Sequence, residues 1–412
     1  MPDETVQSYR LPNGLTLLVE RMPDVQSAAF SLVVPAGSIH DPSGRSGCAA
    51  VAGEMMIRGA GGWDSRELLS ALDNLGVQHN EGADRVFISF NGALLGENLG
   101  EALSIYSRIV QQPTFPKEQF PAVVAGARLV LDSIEDEPRQ KVILELRRRC
   151  YETPWGLPAE GSYEGLEALS LKDVIAHHQK YVQPEGAILG IAGQVDPEQI
   201  RDLVEREFGG WKPVKSPALV TGPRGLFQDH IPHESTQTQI GIAYNSIPYS
   251  HPDYYAAWGA VNILSGGSSS RLFTEVREKR GLCYSVYATL HSLKDQARVL
   301  CYAGTTNERA QETLDVMLQE IRRLDQGILK EELDRCKARA KSALIMQQES
   351  SSSRASSLTS DWYHLGRVLS LEEVRTRIES LTEQQIVQHL HDYPVSDLTV
   401  LTLGPAPLEI HA

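Results

Sequence analysis

The stretch LSGGSSSRLFTEVREKRGLCYSV, Leu264–Val286, runs through loop, helix, turn and strand within a few turns of chain. Its Gly-Gly-Ser-Ser-Ser run has no apolar period and is a loop or helix start, where Ser268, Ser269 or Ser270 can cap the helix that follows. Leu272, Phe273 and Val276 then recur at helical spacing. Arg277, Lys279 and Arg280 crowd positive charge near the helix end, and Gly281 stops it. Leu282–Val286 reads as a strand with Tyr284 on one face. Arg277 and Tyr284 therefore flank a turn and can point at one spot. Arg271, Lys279 and Arg280 read as solvated charges, because exposed Lys and Arg are the rule.

Outward from this stretch, 412 residues with 41% hydrophobic content suffice for two or more domains with cores of their own. A net charge of −14 argues against nucleic acid or an anionic membrane as the main partner. No apolar run approaches the roughly 20 residues of a membrane span. The five cysteines, Cys48, Cys150, Cys283, Cys301 and Cys336, form no Cys-x-x-Cys and read as reduced, mostly buried thiols of a reducing compartment. The first residues, MPDETVQSYRLPNG, lack the basic and apolar regions of a secretory leader and the arginines of a transit peptide. A cytoplasmic protein is the expectation.

Along the chain, Tyr9–Glu20 is a strand pair about Pro-Asn-Gly and Ala28–Pro35 a third strand. Gly47–Arg58 is small, apolar and helical in period. Val77–Asn91 is a second strand pair. Helices follow over Glu97–Val110, Pro116–Glu135, Gln140–Tyr151 and Leu171–Tyr181, then a buried strand, Ala187–Gly193. Lys212–Glu234 is rich in Pro and Gly, lacks period, and reads as a linker. The order then restarts with a strand, a helix, the Leu264–Val286 stretch, further strands and helices, and a last strand, Leu398–Leu403. Each half closes on an apolar strand and a small-residue turn, AILGIAGQV and LTVLTLGP. The implied fold is a duplicated α+β domain, with a first domain over 1–211, a linker over 212–234 and a second domain over 235–412.

Six stretches in order carry a family resemblance: YRLPNGLTLLVE, VPAGSIHDPSGRSGCAAVAGEMMIRGA, LGVQHNEGADR, GGSSSRLFTEVREKRGLCYSVY, ESSSSRASSL with LGRVLSLEEV, and LTVLTLGP. In these the chain resembles the pitrilysin/insulinase family of zinc metallopeptidases, in its short bacterial and processing-peptidase branch, over almost its whole length. The resemblance implies two homologous domains, each an antiparallel sheet backed by helices, enclosing a chamber for an extended peptide. Active members carry an inverted His-x-x-Glu-His motif on a helix of the first domain, with a later Glu. Two imidazoles and a carboxylate leave one zinc position open for water, and the Glu between the histidines is the general base.

In this chain the first His position falls on Ala50, the base on Gly53, the second His on Glu54, and the later Glu near Ser133, with Asp132 adjacent. Ala and Gly have no side-chain donors, and Glu54 alone cannot hold a metal tightly. His177 and His178, His230 and His233, and His389 and His391 lie in other segments and restore neither arrangement of the motif. The expectation is no zinc site and no cofactor in this chain, with zinc in a partner subunit.

The second half keeps its own part of the family's site. VREKRGLCYSV matches the family's Arg–Tyr pair, placing it at Arg277 and Tyr284, a cationic fork and a phenol suited to a developing oxyanion. Asn80, in LGVQHNEG, matches an Asn that contacts substrate main chain, although Glu81 and Ala83 stand where the family usually has Ala-x-Thr. In two-chain members one subunit carries the zinc motif and a zinc-free subunit carries the Arg–Tyr pair. The resemblance therefore implies a zinc-free subunit, inactive alone, that works in trans with a zinc-motif-bearing homologue on peptides or unfolded segments. A structural or peptide-binding member without catalysis is the alternative. A self-contained thiol peptidase at Cys48 is set aside, since no His lies near it in sequence and Cys is among the most buried residue types.

Overall fold

In the computed structural model, which describes residues 6–411, the apolar and alternating runs form two large sheets, beside two short two-stranded ones. The first holds β1 (Val6–Arg10), β2 (Thr16–Arg21), β3 (Ser27–Val34), β4 (Gln78–Ala83), β5 (Ile88–Leu95) and β6 (Ile188–Gly193), in the order β1-β2-β6-β3-β5-β4. The second holds β7 (Gln228–Pro232), β8 (Gln237–Ser246), β9 (Cys283–Ser292), β10 (Ala297–Thr306) and β11 (Thr399–Gly404), in the order β7-β11-β8-β10-β9. With β1 set aside, both sheets read first, fifth, second, fourth, third in chain rank. The duplication seen in element order is thus present in topology.

Both sheets are mixed rather than wholly antiparallel, because β2 with β6 and β7 with β11 run parallel. A parallel neighbour needs a long crossover, and here the crossover is everything between the first and last strand of each half. Alternation of side chains does not reveal it. Strands β6 and β11 are buried along their whole length, as expected of interior strands covered on both faces.

The helices that matter here are α1 (Cys48–Met56), α2 (Phe120–Asp136), α3 (Pro138–Cys150), α4 (Leu171–Tyr181), α5 (Tyr254–Ser265), α6 (Lys330–Gln348), α7 (Ser351–Leu365) and α8 (Glu383–Asp392). Equivalent helices start alike: α4 has a capping box of Ser170 and Asp173, and α8 one of Thr382 and Gln385.

The compact units do not follow the two halves of the sequence. The first unit runs to Ser133, then takes 157–221 and 346–368; the second takes 134–156, 222–345 and 369 onward. The division into 1–211, 212–234 and 235–412 is corrected accordingly. Helix α3, from the first half, packs on β8 and β11 of the second sheet, and its counterpart α7, from the second half, packs on β6 and β3 of the first. Helical periodicity shows which face of α3 or α7 is apolar, but not which sheet buries it. The linker is corrected as well, since its end is a strand, β7. Pro232 is tolerated there because β7 is the edge of its sheet.

Helix α7 lies directly on its strand. A Cβ at Gly190 would fall 2.6 Å from the Ala355 carbonyl oxygen, so only Gly allows this approach. Ala355 and Leu358 complete a core with Leu18, Ala29, Ile188 and Ala192. In the second unit Val142 and Leu146 of α3 do the same against Ala243, Leu401 and Leu403. Each exchanged helix is also tied by charge. Arg354 of α7 donates to buried Glu20 of β2 at 2.8 Å, and Arg149 of α3 to Asp229 of β7 at 2.7 Å. All five cysteines are buried free thiols. No helix among the described residues is long and apolar enough to cross a membrane.

Candidate functional site

After α5 and its Gly-Ser loop, the chain makes a wide π-helical turn over Phe273–Glu278, in which the Lys279 N–H donates to the Thr274 carbonyl at 2.9 Å. Such turns are rare and gather at functional sites. Gly281 follows with φ of 57°, the left-handed conformation that Gly adopts freely, and turns the chain into β9. There Cys283 lies opposite Thr305 while Ser285 lies opposite Gly304, so Tyr284 is the extra residue of a bulge. A bulge re-aims a side chain out of the ladder, and Tyr284 is 85% exposed.

The guanidinium carbon of half-buried Arg277 lies 4.6 Å from the Phe273 ring centre and 4.9 Å from that of Tyr284. The expected convergence of Arg277 and Tyr284 is therefore present. Stacking uses the flat face of the guanidinium and leaves its N–H edge available. Neighbouring cations are all engaged. Arg271 bonds Glu332 of α6 at 2.8 Å, and Lys279 and Arg280 both bond Glu275. Arg271 also donates to the carbonyls of Arg323 and Gly327. Lys279 and Arg280 are exposed as expected and pair with Glu275 of their own turn, whereas Arg271 is not a free surface charge, since the fold brings Glu332 to it. Among the described residues no carboxylate pairs with Arg277.

Asn80 is exposed on β4, opposite Asn91. Strand β4 is the edge of the first sheet and the counterpart of β9, the edge of the second. Asn80 and Tyr284 thus occupy equivalent edge strands, each in its own unit. Glu81, next along β4, faces the other way and accepts from the Tyr106 hydroxyl at 2.7 Å.

The positions that the resemblance assigns to the zinc motif, Ala50, Gly53 and Glu54, lie on α1. Ala50 is half-buried. Gly53 is buried against β5, where a Cβ would meet Ile88 at 3.4 Å. Glu54 is paired with Arg58 one turn on. Ser133 is exposed on the last turns of α2, and adjacent Asp132 accepts from the Tyr163 hydroxyl at 2.7 Å. This donor set does not fit a zinc ion held in the family's manner.

One cluster escapes a linear reading. Asp41, Cys48 and His177 each offer a ligand atom within 4.8 Å of the other two. No His lies near Cys48 along the chain, but His177 lies beside it in space. Asp41 accepts from the N–H groups of Gly47 and Ala49 at 2.7 and 2.8 Å, capping α1 where Gly47 has no side chain to do so. Burial pushes the Asp41 carboxyl up to about 7 and His177 down to about 4, so the imidazole is neutral near neutral pH. Burial, then the charges of Asp41 and Asp173, push the Cys48 thiol up. The available signal was Val174, His177 and Tyr181 at i, i+3 and i+7, which puts His177 on the apolar face of α4.

Residues 16–161 match the family model described as insulinase (peptidase family M16), and residues 168–340 the model described as peptidase M16 inactive domain. An uncharacterized zinc protease of Rickettsia bellii is 27% identical over 411 residues, 98% of each chain. The uncharacterized zinc protease YmxG of Bacillus subtilis is 24% identical over 97% of this chain and 98% of its own. Among solved structures, a peptidase M16 inactive domain from Pseudomonas fluorescens superposes with a TM-score of 0.89 at 22% identity, covering 98% of this chain and all of that one. A protease from Helicobacter pylori gives 0.89 at 19% identity over 97% and 99%.

Proposed function

Since the chain belongs to the insulinase-type M16 peptidase family, we propose that it is the subunit of a two-chain endopeptidase that lacks the catalytic zinc motif, lending Arg277 and Tyr284 to the site of a homologue that carries the catalytic zinc. The observation that carries this reading is an Arg277 stacked on Tyr284 with its N–H edge unpaired, in a chain where Ala50, Gly53 and Glu54 offer no metal cage. A peptide carbonyl gathers negative charge as its bond is attacked. Arg277 N–H groups and the Tyr284 hydroxyl donate to that oxygen and to the main chain beside it. Edge strand β4, with Asn80, offers unpaired backbone groups to an extended peptide. Five reduced thiols agree with a cytoplasmic setting.

A second reading, peptide binding without catalysis, is favoured by the same open edges, β4 and β9. The experiment is hydrolysis of a quenched fluorescent peptide library by this chain, by the zinc-motif homologue of the same genome, and by their equimolar mixture, each with and without a chelator. Chelator-sensitive hydrolysis only in the mixture is expected. Chelator-sensitive hydrolysis by this chain alone overturns the proposal. Peptide binding with no hydrolysis in any sample selects the second reading.

A further inference from the structure

We propose that Asp41, Cys48 and His177 form a divalent transition-metal site of the zinc class, separate from the altered motif positions on α1. A carboxylate, a thiolate and an imidazole are the three side-chain ligand types zinc takes, and three protein ligands leave a fourth position for water. Their ligand atoms lie within 4.8 Å of one another. Tetrahedral zinc holds such atoms about 3.5 Å apart, from bond lengths of about 2.0–2.3 Å, so small side-chain rotations close the gap.

His177 points to a ligand most directly. Its side chain is 1% exposed, and its Nε2 lies 2.8 Å from the Ala36 carbonyl oxygen. That oxygen can only accept, so Nε2 carries the proton and Nδ1 carries a lone pair. Nδ1 is buried and has no hydrogen-bond partner. A ring whose outer N–H is held by a backbone carbonyl is how metal-bound histidines are oriented. The Asp41 oxygens are held in the same sense by the Gly47 and Ala49 N–H groups. Cys48 is the first residue of α1, beside the two N–H groups that hold Asp41. A bare thiolate beside the Asp41 carboxylate is an unfavourable buried pair, which a divalent cation resolves. The same juxtaposition weighs against Cys48 as a free nucleophile. The site would tie the loop before α1 to α4, within the first unit. Neither Arg277 nor Tyr284 takes part in it.

The test uses the full chain, stripped of metal with a chelator and titrated with Co(II). A thiolate-to-cobalt charge-transfer band that saturates near one equivalent and is displaced by Zn(II) is expected. Cys48→Ser and His177→Gln lose it, while Cys336→Ser, at another buried thiol, keeps it. Circular dichroism melting guards against misfolding. Zn(II) raises the midpoint of the native chain by several degrees and leaves that of Cys48→Ser unchanged. No band in the native chain overturns the proposal, as does a band of equal intensity in Cys48→Ser. Rapid alkylation of Cys48 by iodoacetamide at neutral pH, with no metal effect on it, overturns it in favour of a reactive thiol.

Discussion

Arg277→Ala is expected to lower the turnover of the reconstituted two-chain complex by about 100-fold, the usual cost of one oxyanion donor. Tyr284→Phe, which keeps the ring and removes only the hydroxyl, should fall by a comparable factor. Both donors act on charge that develops in the transition state, so kcat drops while KM changes little. Arg277→Lys should recover little, because an ammonium has neither a flat face to lie against Phe273 and Tyr284 nor a fork of N–H groups. Complex formation on size exclusion and the zinc content of the partner should be unchanged in all three variants. A complex that keeps full activity with either Arg277→Ala or Tyr284→Phe would remove the pair from the site.

The second large effect is structural. Arg354→Ala should destabilise the first unit by about 3–5 kcal/mol, the range for stranding one member of a buried ion pair. Arg354 is 4% exposed and Glu20 8%, with the guanidinium Nε 2.8 Å from the carboxylate. Without its partner, Glu20 faces the underside of α7 as an uncompensated charge. The double variant Arg354→Met with Glu20→Leu should regain most of the loss, since well-packed apolar groups replace such pairs at little cost. Urea unfolding followed by circular dichroism reads both. An Arg354→Ala midpoint equal to that of the native chain would show that α7 is held by packing alone.

Much of this was legible in the order of residues. The strand pair about Pro-Asn-Gly, the helix periods and the restart after the linker announce a duplicated α+β chain, because each is a local pattern with a local cause. The Arg277–Tyr284 pair was legible for the same reason, as one turn separates the two residues. The π-helical register and the bulge at Tyr284 were not, since both depend on which backbone group finds which partner across a ladder. The ion pair of Arg271 is not legible there, because its carboxylate, Glu332, belongs to a helix distant in sequence. Asp41, Cys48 and His177 were missed for the same cause, and so were the parallel pairs and the exchange of α3 and α7. Contacts that link remote segments leave no periodic trace in either one.

The exchange of α3 and α7 also sets a timetable for synthesis. Strand β6 is complete once Gly193 is made, but Ala355 and Leu358, which cover it, emerge only after Ser351. At about 5–20 residues per second, that apolar surface waits for roughly ten to thirty seconds on the ribosome. Helix α3 waits in the opposite sense, made before any strand of the sheet it serves. A nascent chain of this design spends that interval with one bare sheet and one unattached helix, and it becomes a protein nearly all at once, as its last residues arrive.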